Sequence, residues 1–84
     1  MPPQILLYQF EECPWCEKVR QKLKELGLQY KKVNMIRDRE NPDRKELYKK
    51  SGVPTVPVIN IDGKFIGDSA KIIEFLEKNF DYRI

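Results

Sequence analysis

Histidine is absent from this 84-residue sequence and cysteine occurs only twice, so a closed single-chain zinc site would have to recruit carboxylates or a second subunit. Charge of one sign never accumulates. The 16 basic and 13 acidic side chains interleave to a formal charge of +3, without the blocks that mark nucleic-acid tails. The densest basic stretch, Ile36-Arg37-Asp38-Arg39, is diluted by acid and reads as a solvated loop, so no nucleic-acid partner is expected. Long apolar runs are missing too. Ile5-Leu6-Leu7 is far too short for a signal peptide or a membrane span, and Met1-Pro2-Pro3-Gln4 before it carries no basic region. The expectation is a cytoplasmic protein with no membrane partner. Repeats, linkers and low-complexity tracts are also lacking, and the length leaves no room for a second independent core, so residues 1–84 read as a single domain. What is present is a globular composition, 40% hydrophobic with one Trp, four Tyr and four Phe, under a surface solvated by 35% charged residues.

Ile5 to Phe10 is apolar and aromatic and reads as a buried first strand, ending at Glu11-Glu12. From Pro14 the apolar positions Cys16, Val19, Leu23 and Leu26 follow helical spacing, with a first-turn proline and a stop at Gly27. Leu28 to Met35 reads as a second strand. Asn41-Pro42 opens a second helix that runs to Gly52. Val58 to Ile61 and Lys64 to Ile66 flank Asp62-Gly63 as an antiparallel hairpin. Asp68 or Ser69 caps a last helix with Ile72, Ile73, Leu76 and Phe80 at helical spacing. The chain is therefore an α/β protein of order βαβαββα: a parallel crossover followed by a hairpin on one mixed sheet, with the helices packed against it. Ligands bind such sheets beyond the carboxyl ends of the parallel strands, where Cys13-Pro14-Trp15-Cys16 falls.

A cysteine at a helix mouth has its sulfur near unpaired backbone N–H groups and the positive dipole end, which favours thiolate over thiol. Cys13 occupies that place and Cys16 lies one turn inside, close enough to attack a mixed disulfide formed on Cys13. Cys13 is thus the attacking thiolate and Cys16 the resolving thiol of a redox-active pair that cycles through a disulfide bond. Pro14 stiffens the turn. Trp15 reads as an apolar wall for substrate, with core packing as its alternative. The alternative for the pair is half a zinc site, which the absence of other soft ligands disfavours, and no metal is expected.

Thr55-Val56-Pro57 precedes a strand and is a candidate for a cis X-Pro bond, which would turn the backbone N–H and C=O of Val56 toward a peptide substrate; otherwise Pro54 and Pro57 only shape a loop. Asp68-Ser69 is either an ordinary helix cap or a seat for the zwitterionic end of an amino acid.

With these motifs in place the chain resembles the glutaredoxins along nearly its whole length, and also the thioredoxin-fold N-terminal domains of glutathione transferases. Cys13-Pro14-Trp15-Cys16 is close to the dithiol glutaredoxin motif, and Gly52-x-x-Thr55-Val56-Pro57 followed by Ile66-Gly67 matches the family's spacing. The resemblance implies a thioredoxin fold with a central four-stranded mixed sheet flanked by three helices. It implies that Thr55 and Val56 meet the cysteinyl part of glutathione, with Pro57 in cis. Arg44, otherwise a solvated helix charge, stands eleven residues before Thr55, where the family often has a side chain for the glycine carboxylate. Gly67-Asp68-Ser69 looks like the acidic-Ser pair that holds the γ-glutamyl group in glutathione transferases. Phe10 departs from the lysine many glutaredoxins carry three residues before the first cysteine, and Glu11-Glu12 add negative charge that opposes the thiolate.

The implied protein is a glutaredoxin-type disulfide oxidoreductase serving electron transport and cell redox homeostasis. It would have no bound cofactor, glutathione as co-substrate and disulfide-containing proteins as partners, and it is expected to be a monomer. The alternatives are a glutathione-independent thioredoxin-like reductase fed by a thioredoxin-reductase-type flavoprotein, and a glutaredoxin that holds an iron-sulfur cluster in a dimer. Pro14 argues against the cluster, because cluster-binding members often have a smaller residue there.

Overall fold

Alternation along Ile5-Leu6-Leu7-Tyr8-Gln9 sends Ile5, Leu7 and Gln9 to one side of a strand and Leu6 and Tyr8 to the other. In a computed structural model of the chain, which describes residues 4–38 and 40–80, this strand is β1 (Ile5–Gln9), and both its edges are paired. Met1, Pro2, Pro3 and Arg39, which entered the leader and basic-stretch readings, lie outside the described residues. The other elements are α1 (Pro14–Glu25), β2 (Lys31–Asn34), α2 (Pro42–Ser51), β3 (Val58–Ile61), β4 (Lys64–Gly67) and α3 (Ser69–Phe80). The sheet order is β2-β1-β3-β4, with β1 parallel to β2 and antiparallel to β3, and β3 antiparallel to β4. This is the mixed sheet expected from the order of elements and the thioredoxin fold that the resemblance implied.

Register sorts the core. Leu7 lies opposite Ile59 and Ile5 opposite Ile61, so one sheet face presents four buried aliphatics to Val19 and Leu23 of α1 and Ile72 and Leu76 of α3. Each fully buried aliphatic contributes roughly 1.5 to 3 kcal/mol of transfer free energy. On the opposite face Tyr8 stacks on Phe65 with ring centroids 6.2 Å apart, and Leu47 of α2 is buried. Gly67 is needed there, because a Cβ at that position would overlap the Val53 side chain.

Relative to the sequence reading, the second strand ends one residue early, at Asn34, and the fourth one residue late, at Gly67, while two further boundaries move for a hydrogen-bonding reason. The second strand begins at Lys31 rather than Leu28. Gly27, at φ +69°, donates to the Lys24 carbonyl and Leu28 to the Leu23 carbonyl, so residues up to Leu28 close the end of α1. The first strand ends at Gln9 rather than Phe10, since Phe10 already opens the turn toward α1 and its carbonyl accepts from the Cys13 amide. The hairpin residues Asp62 and Gly63 both have positive φ, as a two-residue turn of this kind demands. Asn41 caps α2 by accepting from the Asp43 amide, and Gly52 ends it with φ +75°. Asp68 caps α3 by accepting from the Ala70 amide at 2.9 Å.

Candidate functional site

β1 and β2 run parallel, so their carboxyl ends open side by side, and the Met35 amide donating to the Gln9 carbonyl at 2.8 Å carries the pairing one residue further. The segments that leave these strands, Phe10 to Cys13 and Met35 to Asp38, are therefore neighbours. Cys13 has extended backbone (φ −100°, ψ 119°) and caps α1, with Pro14 as the first helical residue. Its Sγ accepts from the Cys16 amide at 3.4 Å, and its carbonyl accepts from Glu17 at 2.9 Å. Both cysteines are free thiols, Cys13 half-exposed and Cys16 fully buried.

Position at the helix mouth divides the two thiols electrostatically. Partial burial pushes Cys13 up, but hydrogen bonds from the Cys16 thiol and from the Cys16 and Trp15 amides, with the Arg37 guanidinium nearby, outweigh it and hold Cys13 below the ordinary thiol range. Burial pushes Cys16 up to about 11, and the neighbouring Cys13 sulfur adds to the rise, against a hydrogen bond from the Phe10 backbone and the Arg20 charge.

A cleft of about 560 Å³ opens in front of Cys13. Pro14 and Trp15 form one side of it, and Thr55 and Val56 another. Trp15 is 57% exposed, with the Lys18 ammonium 4.7 Å from its ring centre, so it stands on the surface and not in the core. The rest of the wall is Phe10, Glu12, Arg37 and Arg44. Arg37 lies over the Phe10 ring at 4.5 Å and Arg44 at 5.2 Å, so this aromatic carries two cations beside the cleft.

Arg44 is buried, and its guanidinium donates to the carbonyls of Ile36 (2.8 Å), Arg37 (3.1 Å) and Pro54 (3.3 Å), tying together the two loops that border the cleft. Glu11 points to Lys32 of β2 at 3.0 Å, and that hydrogen bond holds its carboxyl below the ordinary range, so its charge is matched. Glu12 stays in the cleft wall.

The Val56-Pro57 bond is cis and Pro57 is buried behind the wall. Gly67, Asp68 and Ser69 lie outside the wall; the pairing of Val58 with Gly67 sets Asp68 next along, beside the chain that leads into Val58 from Pro57. Of the residues named from the sequence, the structure brings Cys13, Pro14, Trp15, Arg44, Thr55 and Val56 together in one cleft, and it adds Arg37, which is exposed as the solvated-loop reading had it but lines that cleft. The parallel pairing of the first two strands was the available signal, since it brings the residues after Phe10 beside those after Asn34. Among the described residues no group of three or more His, Cys, Asp or Glu is placed to hold a metal ion, and no helix is long and apolar enough to cross a membrane.

Residues 7–83 match the family model described as glutathione S-transferase, N-terminal domain. A glutaredoxin-like 8.6 kDa protein from the rubredoxin operon of Clostridium pasteurianum is 39% identical over 77 residues, covering 88% of this chain and 99% of that protein. Glutaredoxin 3 of Escherichia coli is 34% identical over 63 residues, covering 75% of this chain and 74% of the relative. The solved structure of Drosophila melanogaster glutathione S-transferase isozyme E7 superimposes with a TM-score of 0.83 at 30% identity, over 94% of this chain but only 36% of that one. The chain likewise spans 35% of the maleylacetoacetate isomerase of Dictyostelium discoideum.

Proposed function

Since the chain belongs to the family of glutathione S-transferase N-terminal domains and their glutaredoxin-like relatives, we propose that it is a glutathione-linked thiol-disulfide oxidoreductase working through Cys13 and Cys16. The relatives support a thiol-based redox or glutathione-related role. The observation that carries the finer reading is the asymmetry of one helix terminus. Cys13 is half-exposed, amide-bonded and held low, whereas Cys16 is fully buried one turn inside and pushed up to about 11.

The Cys13 thiolate attacks a disulfide sulfur of the substrate, and the partner sulfur leaves as a thiolate. In the protein-disulfide route Cys16 attacks Sγ of Cys13 and releases the substrate. In the glutathione route a second glutathione completes turnover. Glutathione lies along the cleft with its peptide against Thr55 and Val56, its glycine carboxylate toward Arg37 and Arg44, and its γ-glutamyl end toward Gly67, Asp68 and Ser69. Trp15 and Pro14 form the apolar side for the substrate. A reducing cytoplasm, where free thiols persist, suits this chemistry.

The test separates the two cysteines. Cys16→Ser is expected to keep reduction of glutathione mixed disulfides and to lose dithiol reduction of protein disulfides, while Cys13→Ser loses both. Equal loss in both assays for the two variants refutes the roles. Chemical-shift titration of the reduced protein with glutathione decides the co-substrate. Shifts around Arg44 and Asp68 support it, and a silent spectrum leaves the glutathione-independent, flavoprotein-fed reductase as the reading.

A further inference from the structure

Gln9 shares a sheet face with Ile5 and Leu7 and is fully buried, although an amide there costs free energy unless it is partnered. Its Nε2 donates to Asn34 Oδ1 at 2.9 Å, and its Oε1 accepts a short hydrogen bond from Arg20 Nη1. Arg20 Nη2 donates to the Glu11 carbonyl at 3.3 Å, in the turn that leads to Cys13. Arg20 stands four residues after Cys16 on the same face of α1, and helical side chains lean toward the amino end, so the guanidinium is directed back along the turn that carries Cys16. Ile5 and Leu7 show that the neighbouring positions take aliphatic side chains. What the amide at position 9 adds is a fixed seat for this cation.

We propose that Arg20, anchored by Gln9, is a positioning residue for the resolving half-reaction: it steadies the negative charge that Cys16 carries while it attacks a mixed disulfide on Cys13. The inference rests on the dithiol reading above. In this step Cys16 loses its proton to solvent and its thiolate attacks Sγ of Cys13. The Cys13–Cys16 bond forms, the bond from Cys13 to the substrate sulfur breaks, and the substrate leaves with the electron pair as a thiolate that takes a proton from water.

While Cys13 is ionised, its charge opposes charge on Cys16; once Cys13 is tied in a mixed disulfide that opposition is gone and the Arg20 charge remains. The other charged groups on the surrounding elements are differently engaged. Glu11 is paired with Lys32 of β2, Glu12 and Arg37 line the cleft on the Cys13 side, and Arg44 of α2 holds loop carbonyls. Glu17 and Lys18 of α1, Lys71 of α3 and Asp68 at its start are exposed.

Reaction of the full chain with 5,5′-dithiobis(2-nitrobenzoate) reads both half-reactions in one trace. Cys13 releases a first nitrothiobenzoate as it forms the mixed disulfide, and Cys16 releases a second as it resolves it. In Arg20→Gln the pH midpoint of the second release is expected to rise by about one unit; the ionised form becomes about tenfold scarcer at neutral pH and, after its gain in nucleophilicity, the step about three- to fourfold slower, with a smaller change in the first. Arg20→Lys, which keeps the charge, should leave the midpoint near that of wild type and the rate within about 1.5-fold. If Arg20→Gln does not fold, Gln9→Met, which frees the cation from its seat, should move the same midpoint upward. A second-release profile that superimposes on wild type in Arg20→Gln, or in Gln9→Met where that variant stands in for it, overturns the proposal. Loss in Arg20→Lys equal to that in Arg20→Gln does the same. If the wild type releases one equivalent only, or its product carries nitrothiobenzoate on Cys16 in place of a Cys13–Cys16 disulfide, the dithiol reading itself fails and takes the inference with it.

Discussion

Brief alkylation with iodoacetamide tests the division of the two thiols directly, because the thiolate is the nucleophile. Cys13 sits below its ordinary value of 9.0, and Cys16 sits at about 11. At neutral pH a thiol with pKa about 9 is roughly 1% ionised and one with pKa about 11 roughly 0.01%, so ionisation favours Cys13 by more than about a hundredfold. Each Cys16 thiolate is intrinsically more reactive, and a Brønsted slope of about 0.4–0.5 over two or more units returns about tenfold or somewhat more. The net chemical preference for Cys13 is then about tenfold or better, and full burial of Cys16 widens it further. Fragment mass spectra of protein quenched after short exposure locate the label. Labelling of Cys13 should rise with pH and level off before the ordinary thiol range is passed, while labelling of Cys16 keeps rising toward about 11. In urea-unfolded protein the two should label alike. Label on Cys16 first, equal label on both in the folded chain, or a Cys13 rate that climbs without a plateau would refute the electrostatic argument.

Stability at alkaline pH carries the same asymmetry. The folded pKa of Cys16 is raised from 9.0 to about 11, so its contribution is complete below 9.0 and is lost as pH rises toward 11. The loss is about 1.4 kcal/mol per unit and about 2 to 3 kcal/mol in all. Urea midpoints should therefore fall more steeply over this range in wild type than in Cys16→Ala, and parallel slopes contradict it. Arg44→Met removes three hydrogen bonds from a buried guanidinium to loop carbonyls and should cost about 2 to 4 kcal/mol by urea denaturation. A change within about 0.5 kcal/mol would mean that the loops hold themselves. Gly67→Ala drives a Cβ into Val53 and should cost about 1 to 3 kcal/mol, part of it recovered in the double variant with Val53→Ala. Strict additivity of the two substitutions argues against that contact.

The order of elements and the place of the cysteine pair were legible because their signals are local. Asn41-Pro42, Asp62-Gly63 and Pro14 each state a backbone conformation without reference to anything distant, and all three do in the structure what their chemistry demands. The late start of β2 was hidden because Leu28 looks like a strand residue by composition, while its amide is bonded to Leu23 at the end of α1. Read by itself Arg44 is a solvated helix charge and only the resemblance puts it at the site, while Arg37, exposed as its solvated loop suggests, gives no sign that it lies over an aromatic. Their partners lie far off in sequence. Phe10 comes from the end of β1, and the Pro54 carbonyl comes from the loop before β3. Gln9 was equally illegible, since one amide in an apolar strand reads as neutral until Asn34 and Arg20 are seen to converge on it.

Negative charge before Cys13 was the feature of the sequence that most opposed a reactive thiolate there, and the structure weakens that objection by geometry. Glu11 is turned onto Lys32 at the start of the parallel pair, leaving Glu12 as the acid of the two that lines the cleft, opposite Arg37 and Arg44 stacked on Phe10. Exposed charges in water contribute little each, whereas the Cys16 amide that meets the Cys13 sulfur is fixed by the helix itself. The hydrogen bonds from the Cys16 thiol and from the Cys16 and Trp15 amides therefore hold Cys13 low despite the acids, and the sidedness of the cations follows the chemistry. Arg37 lies on the open side with the sulfur that must be ionised at rest, and Arg20 lies on the buried side with the sulfur that needs charge only once its neighbour has lost it.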